Sequence, residues 1–278
     1  MSFWSRLRRA IYGAYQHGAL GFAKGAAYSA LLAFLPVLTT TTAILVQMNA
    51  AAVSRKIIAV LFRVAPAGVE DLLRIQMTQR GMRPLALPIV ATVLALWAAS
   101  GVMMSLMEGF QAAYQRTSSR GILHGRWISM WLVLVSIGPV LGASILMIFG
   151  DWMETRVLLV LGLLDAGQTL AGGVKFIAMV VRYMVSASAV VLVAGLLYMY
   201  GPDAGANRRI WPGSFLATGL WLTLTTAFGW YVRNIANYNV LYGSIGAVMA
   251  LCVWMYLLAL SAMIGCEYNV QCEPRNKR

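Results

Sequence analysis

Six stretches of this chain carry no charge: residues 25–54, 84–107, 127–150, 183–202, 210–232 and 234–266, each between 20 and 33 residues long. A helix needs roughly 20 apolar residues to cross the hydrocarbon layer of a bilayer. Inside lipid every backbone N–H and C=O must be satisfied within the protein, so a span is a helix or part of a closed barrel. Barrel strands would show shorter segments of alternating polarity, whereas these runs are apolar on every face and rich in Leu, Ala, Met and Trp. The pattern predicts an all-α membrane protein with six transmembrane helices over 26–48, 85–107, 127–149, 177–200, 210–232 and 243–266. They form one integral membrane domain covering residues 1–278.

Between and before the runs the pattern changes. Over residues 2–24, Phe3, Trp4, Leu7, Ile11 and Tyr15 recur at helical spacing with Arg6, Arg8 and Arg9 among them. That spacing predicts an interfacial amphipathic segment lying on the membrane. The longest connection, 49–83, places Ile57, Ile58, Val60, Leu61 and Val64 before Pro66 and Gly68, with Val69, Leu72, Leu73 and Ile75 after them. Two short amphipathic helices meeting near Pro66 are expected there. Its Arg55, Lys56 and Arg63 are candidates for contact with lipid head groups. Pro36 falls inside the first span and should kink it. Thr39 to Thr42 follow, with hydroxyls able to bond carbonyls of the preceding turn.

Composition narrows the class further. Only 11% of residues are charged and 60% are hydrophobic, against about 25% charged in a typical soluble domain. The balance of 22 Lys+Arg to 9 Asp+Glu gives a formal net charge of +13. In a membrane protein that excess flanks spans and fixes orientation rather than binding nucleic acid. Twelve of the basic residues fall on the side of both termini and nine on the other, with Arg182 left aside. The termini are therefore expected inside. Three cysteines, Cys252, Cys266 and Cys272, are too few and wrongly spaced for a disulfide framework or a zinc site.

A recognisable pattern appears in the last third. Asn207-Arg208-Arg209 precede Trp211-Pro212-Gly213, and Asn237-Tyr238-Asn239 lead to Tyr242-Gly243-Ser244-Ile245-Gly246-Ala247-Val248. The final helix runs on to Gly265-Cys266-Glu267, and Ala26 to Pro36 form a matching first-helix pattern. This resembles the YihY/BrkB family of bacterial inner-membrane proteins over nearly the whole chain. That family typically shows a YGS-x-GAV segment followed by a helix ending in Gly-Ala-Glu. Cys266 stands where that family has alanine, and Glu108 sits near where many members carry asparagine. The resemblance implies a six-span layout, a "virulence factor" label, and an older ribonuclease BN label, with no family-wide activity.

The residues do not point to an enzyme. A metal-dependent nuclease needs clustered His, Asp or Glu to hold ions and activate water. Here His17 and His124 are far apart, the acids are scattered, and Walker and GxSxG motifs are absent. No catalytic residue, metal or cofactor is expected. Charged residues beside apolar spans carry more information, because burying one is costly unless it is paired or hydrated. Glu108, Arg182 and Glu267 are the candidate functional or gating residues. Glu108 and Glu267 are expected at the ends of their helices, near Arg116, Arg120 or Arg208; Arg182 is expected toward the opposite face, either snorkelling or meeting an anionic group. Gly243, Gly246 and Ala250 offer a small-residue surface for close helix packing. Two functions remain open: transport or flipping of an anionic or amphiphilic envelope molecule, and a non-transporting scaffold of an envelope complex. A ribonuclease or intramembrane enzyme is a remote third. Partners are membrane lipids, with a homo-oligomer or envelope proteins also open and no nucleic acid.

Overall fold

The computed structural model describes residues 2–47, 86–115, 120–160, 172–203, 208–234 and 243–273. They form seven helices: α1 (Phe3–Gln16), α2 (Ala19–Gln47), α3 (Ala86–Ala113), α4 (Ile122–Val160), α5 (Gly172–Tyr200), α6 (Trp211–Asn234) and α7 (Gly243–Cys272). Helices α2 to α7 each contain a stretch long and apolar enough to cross a membrane, six in all, and the described residues contain no strand. The protein is an all-α membrane protein. The connection over 49–83, with Arg55, Lys56 and Arg63, lies outside the described residues, as does Arg116.

Several helices extend past the ends of the charge-free runs. α2 begins at Ala19, because the amphipathic segment breaks at His17 and Gly18 rather than continuing to residue 24. Gly18 has φ +74°, a left-handed conformation that glycine adopts without steric cost. α3 runs on to Ala113 and α4 starts at Ile122, so Glu108 and Arg126 lie inside helices rather than in a connection. α7 continues to Cys272. A single charge ends an uncharged run in sequence, but it does not end a helix.

Pro36 lies inside α2. Thr41 Oγ1 donates to the Val37 carbonyl at 2.8 Å, so the expected hydroxyl bond forms. It does not serve the Leu32 carbonyl, the one that Pro36 deprives of its amide donor. Similar bonds to the preceding turn are made by Ser129, Ser144, Thr223 and Thr226, which keeps hydroxyls satisfied without water.

The core sits in one half of the bundle. Ala23 and Ala26 near the start of α2 meet Leu106 and Phe110 near the end of α3. Leu197 and Tyr198 at the end of α5 join Ala217 near the start of α6 and Ala259, Met263 and Cys266 late in α7. These all lie toward the end where α1 meets α7, here called the terminal face. Elsewhere the helices turn large apolar side chains outward, among them Val93, Ile145, Phe176, Met184 and Trp230, as lipid contact requires.

Close approach depends on small residues. A Cβ at Gly265 would stand 2.7 Å from both the Gly213 carbonyl oxygen and Ala217 Cβ, so the α6 and α7 backbones touch. Tyr198 spans the same crossing, its hydroxyl donating to the Ala262 carbonyl at 2.7 Å. Gly109 of α3 similarly leaves room for Met263 and Phe22. On the expected small-residue surface, Gly246 and Ala250 are buried, while the surroundings of Gly243 lie outside what is described.

Gly265→Ala should therefore destabilise the protein by about 1–3 kcal/mol, the usual cost of overpacking. Gly219→Ala, with nothing within 4 Å of the added carbon, should be neutral or slightly stabilising. Thermal midpoints of the purified protein in detergent check this, and equal midpoints for the two variants would contradict the crossing.

Candidate functional site

The densest group of buried polar side chains lies on the terminal face, around α7. Because α7 continues past residue 266, Glu267 is an interior helix residue and only 1% exposed. α1 docks against that turn by its small face, with Ala10, Gly13 and Ala14 buried. Gly13 sits over the carboxylate, and a Cβ there would stand 2.9 Å from Glu267 Oε2. Any larger residue would push the carboxylate aside.

The other carboxylate oxygen is held by His17, at the break between α1 and α2. His17 Nδ1 donates to Glu267 Oε1, and Gln115 Nε2 donates to His17 Nε2 at 2.7 Å. With Nε2 accepting, the ring proton resides on Nδ1, so Gln115, His17 and Glu267 form an oriented chain of hydrogen bonds. Gln115 reaches this place with φ 51°, a left-handed conformation uncommon outside glycine and costing of order 1 kcal/mol. Glu267 Oε2 is buried with no hydrogen-bond partner among the described residues.

Two residues further along α7, Asn269 is fully buried. Its Oδ1 accepts from the Gly213 N–H at 2.6 Å, satisfying one of the free amides at the start of α6 as a capping residue would, but from another helix. Its Nδ2 has no partner among the described residues. Tyr114 lies just beyond the α3 span, near Cys266 and Glu273. Burial, aided by the nearby Cys266 and Glu273, pushes its phenol above the ordinary tyrosine range; the Arg208 guanidinium pulls the other way. Arg208 lies 5.8 Å from the Tyr114 ring centroid.

The arginines expected to face Glu108 and Glu267 do something else. Arg208 donates to the Met199 and Pro202 carbonyls at 2.7 and 3.1 Å. Arg120 donates to the Tyr200 and Gly201 carbonyls at 3.1 and 3.0 Å and lies 3.8 Å from Asp203. Both cations thus cap the C-terminal end of α5, where backbone carbonyls lack helical partners and the helix dipole is negative. Asp203 N–H donates in turn to Gln111 Oε1 at 2.7 Å, tying this corner to α3.

Of the sequence candidates, Glu267 is in the buried group, Glu108 is exposed on α3, and Arg182 is elsewhere. Arg182 lies within the α5 span, half-buried, its side chain laid across Gly150 of α4. A Cβ at Gly150 would stand 2.5 Å from Arg182 Cδ. That is toward the face opposite Glu267, since Gly150 lies near the far end of α4. In the sequence His17 stood out only as one of two distant histidines, and nothing singled out Gln115 or Asn269. The available signal for His17 was the His17-Gly18 break itself, which ends one helical pattern and begins another. No three His, Cys, Asp or Glu side chains among the described residues group so as to hold a metal ion.

Removing His17 leaves Glu267 buried without its partner. His17→Ala is therefore expected to cost about 1–3 kcal/mol, read as a lower thermal midpoint in detergent. Glu267→Gln keeps the shape and an acceptor for Nδ1, and should cost less. In the Glu267→Gln background His17→Ala should cost less again, because the two sites are coupled. Additive losses would contradict the contact.

Comparison with known proteins agrees with this architecture. A putative ribonuclease-like protein YfkH from Bacillus subtilis is 28% identical over 226 residues, covering 80% of this chain and 78% of that protein. A UPF0761 membrane protein from Alkalilimnicola ehrlichii is 24% identical over 248 residues, covering 87% of this chain and 52% of its own length. A further UPF0761 membrane protein from Janthinobacterium is 24% identical over 242 residues, 86% of this chain and again 52% of that protein. The chain thus spans about half the length of these UPF0761 relatives. No solved structure matches. The model of the family described as virulence factor BrkB matches residues 10–278, and the chain belongs to that family.

Proposed function

We propose that this chain sits in the bacterial inner membrane with both termini cytoplasmic, and moves or flips an anionic or amphiphilic envelope molecule. The observation that carries the reading is the pair of ionisable groups held inside apolar spans toward opposite faces of the bundle: Arg182 in the span Phe176–Tyr200 and Glu267 in the span Val248–Cys272. Charged side chains at such places are costly, and in membrane proteins they mark ion and substrate paths more often than packing. Arg182 supplies a cation for an anionic group arriving from one side. Glu267, held by His17 and Gln115 where α1 meets the bundle, closes the other.

The orientation follows from basic residues near span ends, twelve on the terminal side against nine, by the positive-inside tendency. The ribonuclease-like name belongs to the Bacillus relative. The BrkB and UPF0761 descriptions name no reaction, and among the described residues no nucleophile is hydrogen-bonded to His17 or Glu267.

Reconstitution into liposomes tests the proposal through flux of labelled anionic lipid and small anions. Wild type should exceed protein-free liposomes, and Arg182→Ala and Glu267→Gln should each lower the flux about tenfold, as loss of about 1.4 kcal/mol would. Unaltered flux in both variants would remove these two residues from the path. Equal flux with and without protein would remove transport and favour a scaffold.

A further inference from the structure

Arg126 does not behave as a span-flanking arginine should. It is the fifth residue of α4 and lies inside the span Ile122–Met147. An arginine so near the end of a span normally snorkels outward to the interface. Here it runs the other way. Ser129, one turn deeper along α4, contacts the sulfurs of Met104 and Met107 at 3.5 and 3.3 Å. Arg126 itself reaches Trp97, two turns beyond Met104 along α3 and further from the terminal face. Its Nη2 donates to the Trp97 carbonyl at 2.8 Å, and its guanidinium carbon lies 4.1 Å from the indole centroid.

Among the described residues no carboxylate pairs with this charge. Arg126 takes part in neither ion pair of the described residues, which join His17 to Glu267 and Arg120 to Asp203. Its Nε is buried with no hydrogen-bond partner among the described residues. The indole contributes a cation–π attraction, and this increases as water is removed, but it does not neutralise the charge. Trp97 is 57% exposed on the outer surface of the bundle, so the pair opens toward lipid. A guanidinium with one hand on a carbonyl, its face on an indole and its charge unmatched suits a phosphate, which takes guanidinium donors in a planar fork.

We propose that Arg126 and Trp97 bind the phosphate of an anionic phospholipid, drawn from the leaflet at the terminal face into the seam between α3 and α4. The lipid supplies the missing negative charge, and its acyl chains lie along the exposed apolar surfaces of the two helices. The site goes beyond the transport reading, because a resident lipid here needs no translocation. Loss of flux with lipid binding retained would remove transport alone.

Native mass spectrometry of the full chain, released from mixed micelles containing phosphatidylglycerol and phosphatidylcholine, tests the site. Wild type should retain one phosphatidylglycerol about tenfold more tightly than phosphatidylcholine. Arg126→Gln and Trp97→Leu should each abolish that preference, while Lys24→Gln, at an exposed position on α2, should keep it. Millimolar inorganic phosphate should fail to displace the lipid; displacement would assign the pair to a free anion and overturn the lipid site. Equal retention of the two lipids by wild type would overturn it without recourse to variants, as would a preference unchanged in Arg126→Gln.

Discussion

A bilayer gives one apolar contact no advantage over another, so helices in lipid are held by how closely their backbones can approach and by the polar groups they satisfy. In this protein both devices are concentrated at one end. Gly213 meets Gly265, Gly109 leaves room for Met263, and Gly13 leaves room for Glu267. Each glycine lies where a polar or bulky group of a neighbouring helix would otherwise collide. The hydrogen bonds of Tyr198, Asn269 and His17 sit at the same contacts. Close packing therefore sets the place of the polar groups, and those groups fix the register of the helices.

That coupling explains why α1 is part of the bundle. Its small face, Ala10, Gly13 and Ala14, lies on α7, with Phe3 against Tyr268 at 5.9 Å between ring centroids. Its other side leaves Trp4 and Tyr15 more than two-thirds exposed, suited to the lipid interface. One helix thus covers a buried carboxylate on one face and meets the membrane on the other. A change in how α1 sits in the interface reaches Glu267 through His17 directly.

Much of the architecture was legible in the sequence because hydrocarbon length is a simple constraint. Six uncharged runs required six membrane-length helices, and six such spans appear among the described residues. The ends were harder, for a reason visible at Arg126 and Glu267. A charge interrupts hydropathy, yet it continues a helix readily when its head finds a histidine, a carbonyl or an indole. The site was legible only in part for the same reason. Glu267 stood out as a charge beside an apolar run, but its partner His17 lies 250 positions away in the chain, and no local spacing links them. Gln115 and Asn269 are polar residues near helix ends, ordinary in sequence; Asn269 stands out only once buried, and Gln115 only once bonded to His17. Arg120 and Arg208 looked like partners for Glu108 and Glu267 and instead cap the carbonyls at the end of α5, with Arg120 also beside Asp203, since helix ends present a negative pole of their own.

The buried carboxylate depends on α1 being docked against the end of α7, and disulfide trapping tests this most directly. Ala10 packs with Tyr268 and Cys272. With Cys252 and Cys266 changed to alanine, a cysteine introduced by Ala10→Cys would face the native Cys272. Oxidation in isolated membranes should then link the two within one chain, whereas Tyr12→Cys, on the exposed side of α1, should remain reduced. Failure of Ala10→Cys to form the link, or equal linking from Tyr12→Cys, would show that α1 does not cover Glu267.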